Sequence, residues 1–230
     1  MFYETEKNNH GLKYNPYKSI VIPRPIGWIS TVSHEGVVNL APFSQFNNLG
    51  YDPPYVMFSA STHPDGARNK DSVRNAQMSG EFVVNMATWD LREAVNKSSY
   101  HVPADVDEFE YAGLEKAPSM LVRAPRVAAS PIHLECVFHQ TVVLPGYSVN
   151  NICNVVIGRV VGVHIRDDVL TADGRIDVLK IRPIARLGYH DYTSVDSIFT
   201  MKIEETEFSD RLKSGLGGEA KGKRPREAAE

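Results

Sequence analysis

The stretch Ile132-His133-Leu134-Glu135-Cys136-Val137-Phe138-His139-Gln140-Thr141-Val142-Val143-Leu144 alternates in character, its even positions apolar except at Gln140. A period of two marks a strand with one buried face. Downstream, Asn154 to Ile165 (NVVIGRVVGVHI) is rich in valine on both faces, the pattern of a strand packed from two sides. Gly158 and Gly162 break it where a closing barrel needs bends or bulges. Asp173-Gly174 then supplies a hairpin turn ahead of Ile176-Asp177-Val178-Leu179.

Working outward, the N-terminal half has the same texture. Gly27 to Ser33 and Val37 to Leu40 read as strands joined by His34-Glu35-Gly36, with glycine where a left-handed residue is needed. Tyr55 to Ala60 and Glu81 to Met86 are two further apolar strands. Two helices interrupt them. The first is expected over residues 71–79 with Asp71 as N-cap and Gly80 beyond its end. The second starts at Asp90, where Glu93 completes a capping box. Residues 99–125 are polar and punctuated by proline, which reads as an insertion or lid over one end of the sheet. Aromatic and β-branched residues vanish from Lys213 onward, so residues 213–230 read as a disordered tail outside a domain over residues 1–212. The fold class is mainly β: a mostly antiparallel barrel with a few peripheral helices.

The composition agrees with a globular chain. Of 230 residues, 42% are hydrophobic and 23% charged, with 28 acidic against 25 basic side chains and a formal net charge of −3. That balance argues against a nucleic-acid partner, which calls for a basic excess. Cys136 and Cys153 are too few for a disulfide framework. The opening residues lack the layout of a signal peptide, and no apolar run is long enough to span a bilayer. A soluble cytoplasmic protein with no membrane partner is expected.

Several motifs lead nowhere. Gly217 to Lys223 mimics part of a P-loop, but Arg224 stands where Ser or Thr is needed and no strand precedes it. His133, Glu135 and His139 share one strand face by period two. They read as its polar outer face rather than as a metal site, since no convergent ligands announce themselves. No metal is expected.

Residues 23–75 differ from the rest. Asn39 to Asn47 ends a strand in small and amide-bearing residues that can read a flat polar ring edge. Ser59-Ala60-Ser61 forms a small-residue edge that a ligand can approach closely. Arg68, Lys70 and Arg74 cluster at the start of the first helix, with Ser72 in its first turn. A helix N-terminus beside cationic groups suits a phosphate.

Taken in order, RPIGWIST, NLAPFSQFN, DPPYVMFS, KDSVRNA and EFVVNMA resemble the flavin reductase-like, FMN-binding split-barrel family. The likeness is strongest to its branch with nitrilotriacetate monooxygenase component B and flavoredoxin, and runs from about Tyr14 to Phe199. It implies a homodimer of split barrels that binds FMN. By that resemblance Ser44, Gln45, Phe46 and Asn47 line the isoalloxazine, and Ser59, Ala60 and Ser61 lie along the ribityl chain and phosphate. Arg68, Lys70 and Ser72 hold the phosphate, Trp28 packs near the ring with Pro25 and Ile26, and Tyr189 with His190 closes the pocket. The implied activity is NADH- or NADPH-dependent flavin reduction, feeding a separate monooxygenase, with no catalytic side chain because the flavin itself takes the hydride. The alternative is a flavoredoxin-like electron carrier. One departure stands out: where many relatives place a histidine before the VIG-like strand, this chain has Cys153 followed by Asn154.

Overall fold

The computed structural model describes residues 1–62, 69–148 and 151–201. The chain divides into a unit Met1–Asp196 and a unit Ser197–Glu230, and in the latter the described residues 197–201 carry no regular structure. Arg68 and the expected tail 213–230 lie outside the described residues.

The first unit opens with β1 (Arg24–Pro25), β2 (Gly27–Val32), β3 (Val38–Phe43), β4 (Phe46–Tyr51) and β5 (Pro54–Ser61). Helix α1 (Asp71–Ser79) and β6 (Glu81–Met86) come next, then α2 (Arg92–Lys97), α3 (Glu108–Ala112), β7 (Lys116–Ala117) and β8 (Arg126–Val127). The long hairpin β9 (Ile132–Pro145) and β10 (Ile152–Ile165) follows, and α4 (Val178–Ile181), β11 (Ile184–Gly188) and β12 (Asp191–Ser194) close the unit.

Seven strands form one antiparallel sheet in the order β3-β2-β6-β9-β10-β5-β4. Its two edges, β3 and β4, are consecutive in the chain and joined by Ser44 and Gln45 alone. A two-residue link cannot span an open seven-stranded sheet, so the sheet must roll until its edges meet. They meet without a ladder between them, and this open seam makes the barrel split. A backbone hydrogen bond from Ser59 N to Gln45 O, 2.8 Å, pins the link to β5.

The barrel interior holds Ile29, Phe43, Val56, Phe58, Phe82, Cys136 and Val156, with Val73 and Ala76 of α1 packed into it. A second cluster outside joins Trp28, Leu40, Val95, Phe109, Val127 and Ile184. β2 lies between the two and is buried along its whole length, Ile29 joining the interior and Trp28 the outer cluster.

The expected bends are present. The β9–β10 register shifts between Ile157 and Gly158 and again between Val160 and Gly162. At Gly158 a Cβ would stand 2.4 Å from the ring of the fully buried Phe82, so only glycine lets the strand pass the core there. Gly36 turns the β2–β3 hairpin at φ 87°, and Gly80 caps α1 at φ 74°.

Several local expectations are corrected. The N-cap of α1 is Lys70 and not Asp71, which sits one residue inside and pairs with Arg74 at 2.8 Å. No capping box forms at Asp90: a 3-10 turn over Trp89–Leu91 precedes α2. Residues 178–181 are a helical turn and not a strand, and the expected hairpin is reduced to the isolated bridge Leu170–Ile176, while Ile181 packs with Ile132 and Val169. Residues 99–125 carry α3 and β7, and the latter pairs with β8. Phe109 and Ala124 in this stretch are fully buried.

The largest correction concerns His133 and Glu135, expected on a solvated face. His133 is 3% exposed and Glu135 is fully buried, whereas His139 is exposed and packs against Tyr55. The residue 118–125 stretch folds over that face and hands the Glu135 carboxylate the N–H groups of Met120 (2.8 Å), Leu121 (2.6 Å) and Val122 (3.2 Å). Buried charge is tolerated when it is hydrogen-bonded this fully.

Candidate functional site

The open seam supplies a cleft. Pro42 and Phe43 come from the end of β3, Ser44 and Gln45 from the β3–β4 link, Ser59, Ala60 and Ser61 from the end of β5, Lys70 from the cap of α1, and Cys153 from β10. It holds about 330 Å³, at the small end of the range for small-molecule sites. Small side chains line β5 and leave its backbone approachable. Cys153, opposite Ser61 in the register, places its Sγ 3.5 Å from the Ser59 Oγ.

Lys70 is the cleft's cation. It is half-buried, and burial pulls its ammonium below the ordinary lysine pKa. No hydrogen bond or ion pair of that ammonium occurs among the described residues, although the neighbouring Arg74 is paired with Asp71. Its position is fixed from behind: the buried Asn154 donates from Nδ2 to Asn69 Oδ1 at 3.0 Å, anchoring the residue just before it.

A smaller space of about 80 Å³ adjoins the cleft, sharing Pro42, Phe43 and Lys70 and bordered by Asn39, Ser72, Tyr100 and Glu108. A polar chain runs along its wall. Ser72 Oγ donates to Asn39 Oδ1 at 2.7 Å, and Asn39 Nδ2 donates to Glu108 Oε1 at 2.8 Å. The other Glu108 oxygen accepts from Leu40 N at 3.0 Å. Burial raises the Glu108 pKa despite these bonds. The chain ties the first turn of α1 and the helix α3 to β3, so the strand that carries the seam is held from both sides.

The structure thus brings together Ser44, Gln45, Ser59, Ala60, Ser61 and Lys70. The others lie apart. Ser72 borders the adjoining space, its hydroxyl proton directed to Asn39. Phe46 packs on Gly27 and borders an inner apolar pocket with Pro25 and Ile26. Asn47 is exposed on β4. Trp28 is fully buried, its indole donating to Ser98 Oγ at 2.9 Å, and so does not reach the cleft. Tyr189 packs on Tyr14 and donates to Asn15 O at 3.2 Å. Among residues with no assigned role, Asn154 and Glu108 position the cleft. For Asn154 the signal was present, an amide at the start of a valine-rich run.

Residues 19–192 match the sequence model of the flavin reductase like domain. The chain belongs to that family. A protein of Halalkalibacterium halodurans is 41% identical over 181 residues, covering 79% of this chain and 86% of its own. Among solved structures, nitrilotriacetate monooxygenase component B from Bacillus cereus superposes with a TM-score of 0.80 at 30% identity, covering 87% of this chain and 98% of that one. The 2-nitrobenzoate 2-nitroreductase of Pseudomonas fluorescens superposes at 0.75 with 25% identity, over 89% and 96% of the two chains. This flavin reductase-like chain has no helix, among its described residues, long and apolar enough to cross a membrane. Nor do those residues include a group of three or more His, Cys, Asp or Glu able to hold a metal.

Proposed function

We propose that the chain is an FMN-dependent NAD(P)H:flavin reductase. It works as a homodimer through its domain over residues 1–212, and passes reduced flavin to a separate acceptor such as a flavin-dependent monooxygenase. The observation that carries this reading is Lys70: a half-buried cation at the end of a small-residue cleft, with no anion of its own among the described residues. A phosphate monoester supplies the missing partner. In this reading the Ser59–Ser61 edge follows the ribityl chain, and Ser44 and Gln45 offer hydrogen bonds to the polar edge of the ring. FMN, when bound, supplies the hydride-accepting chemistry. The chain's residues bind and orient it, and the rigid seam keeps one side of the cleft open to a second substrate.

Cys153 favours a second reading. It lines the cleft, which has no histidine among its described lining residues, and it stands where many family members place one. An electron carrier that never turns over nicotinamide fits that substitution. Stopped-flow mixing of the FMN-loaded protein with NADH and with NADPH tests the two. Bleaching of the flavin band with either nucleotide is the expected result. A flavin that stays oxidised with both replaces the reductase by the carrier.

A further inference from the structure

A second polar cavity, of about 360 Å³, lies at the other end of the β9–β10 hairpin. From Cys153 in the flavin-reductase-like cleft to His164 in this cavity is eleven residues of β10, roughly 30–35 Å of strand. Arg126, Ser130, His133, Val163, His164 and Arg166 contribute to its walls.

The protonation of these groups follows from their partners. His133 Nε2 lies 2.8 Å from the Val127 carbonyl, which can only accept, so Nε2 carries the proton. Nδ1 is therefore the acceptor facing Arg126 Nη1 at 3.4 Å. Burial brings the His133 pKa down to about 4, and the imidazole stays neutral at pH 7. The remaining Arg126 donors, Nε and Nη2, both go to the Pro118 carbonyl, at 3.1 and 3.0 Å. Its positive charge thus has no carboxylate partner among the described residues.

On the facing strand, His164 turns Nε2 to the buried Glu135 carboxylate. That contact fixes the ring and leaves Nδ1 without a hydrogen bond among the described residues, on a side chain 23% exposed. Arg166 holds Asp168 with two prongs, Nε to Oδ1 at 2.5 Å and Nη2 to Oδ2 at 3.1 Å, and Asp168 is also 3.6 Å from Lys180. Among the described residues no carboxylate lines the cavity, and Glu135 is fully buried. The walls offer guanidinium and imidazole donors, and Val163 and Ile165, both partly exposed, form an apolar lip.

We infer that this cavity binds a small organic anion, its carboxylate or phosphate oxygens received by Arg126, Arg166 and His164 and its carbon skeleton resting on Val163 and Ile165. The Nε edges of the two arginines are taken by Pro118 and Asp168, and the remaining N–H groups on their Nη atoms can donate to either oxyanion. The site is separate from the flavin cleft and independent of the reductase reading.

The test is an NMR titration of the labelled full-length chain, following the imidazole nitrogens of His164 at constant ionic strength. Inorganic phosphate and succinate are the two probes. A saturable shift with at least one probe is expected, and whichever binds more tightly assigns the oxyanion class. Arg166→Gln, a change at an exposed side chain, should weaken that binding about tenfold. Arg126→Gln should weaken it at least as much, whereas Lys70→Met leaves it unchanged. If neither probe produces a saturable shift, or if Arg166→Gln and a natively folded Arg126→Gln both titrate like the parent, the inference is overturned.

Discussion

Replacing Lys70 by methionine separates binding from stability in a way few changes at a cleft can. The side chain keeps its length and apolar stem and loses only the ammonium. In the ligand-free chain that ammonium is partly desolvated and has no partner among the described residues, so it opposes folding. Its folded pKa lies below the ordinary value of 10.5, and the sign follows: between the two values the unfolded chain holds a proton the folded chain has released. Stability therefore rises with pH through that window, and the rise should disappear in Lys70→Met. At neutral pH the ligand-free variant should melt at the same temperature as the parent or higher. Flavin binding moves the other way. One charge-assisted contact to a phosphate is worth about 1.5–3 kcal/mol, which at about 1.4 kcal/mol per decade raises the Kd for FMN by roughly 10- to 150-fold. Riboflavin shares the ring and ribityl chain and lacks the phosphate, so its Kd should change by less than about twofold. Fluorescence-quenching titrations of the ligand-free chain with both flavins measure the ratio directly. Equal losses for FMN and riboflavin would refute the assignment of Lys70 to the phosphate, as would a lower melting temperature in the ligand-free variant.

Acid should destabilise the chain earlier than carboxylate titration alone implies. His133 is neutral when folded, with a pKa near 4 against 6.5 unfolded, so stability falls as pH drops from 6.5 toward 4, by at most about 1.4 kcal/mol per pH unit. Urea midpoints of the parent and His133→Asn across that range should show the steeper slope in the parent, and parallel slopes would contradict the buried neutral imidazole. Gly158→Ala drives a methyl group into the Phe82 ring, whose closest atoms lie 2.4 Å from the added Cβ. The expected loss is about 1–3 kcal/mol in chemical denaturation, with Kd for FMN unaffected if the protein remains folded.

The barrel itself was readable because its cause is local. Alternation along residues 132–144 and the doubly apolar 154–165 both correspond to strands, and the two glycines inside the second coincide with register shifts. Those signals depend on neighbours two residues apart. Helix starts were less legible, since capping depends on the dihedrals of a single residue: Lys70, with no side-chain acceptor, occupies the cap that Asp71 would have filled. At the site, contiguous runs were found and long-range partners were not. Ser44-Gln45 and Ser59-Ala60-Ser61 converge because the sheet rolls. Trp28 shares the outer cluster with Ile26, and its indole is tied there to Ser98, so nearness in sequence to the cleft-forming strands did not bring it to the cleft.

Glu135 shows why the remainder was hidden. Read along its own strand, a carboxylate between His133 and His139 looks solvated, since a half-buried strand keeps its polar residues on one face. What reverses that reading is a segment some fifteen residues upstream, polar and rich in proline, whose backbone N–H groups at 120–122 need acceptors once they lie against the sheet. Burial pushes the Glu135 carboxyl upward, but the bonds from His164, Met120 and Leu121 outweigh it and hold its pKa below the usual value. The carboxylate and the covering segment thus satisfy each other's hydrogen-bonding groups. Glu108 repeats the arrangement in mirror form: a carboxylate carried by the covering segment accepts an N–H from the sheet, at Leu40. The polar segment that reads as a loose lid is therefore fastened at both ends by buried carboxylates. One end meets the strand leading to the flavin-reductase-like cleft and the other meets the histidines of the second cavity, so the residues between the two sites belong to the fold's framework.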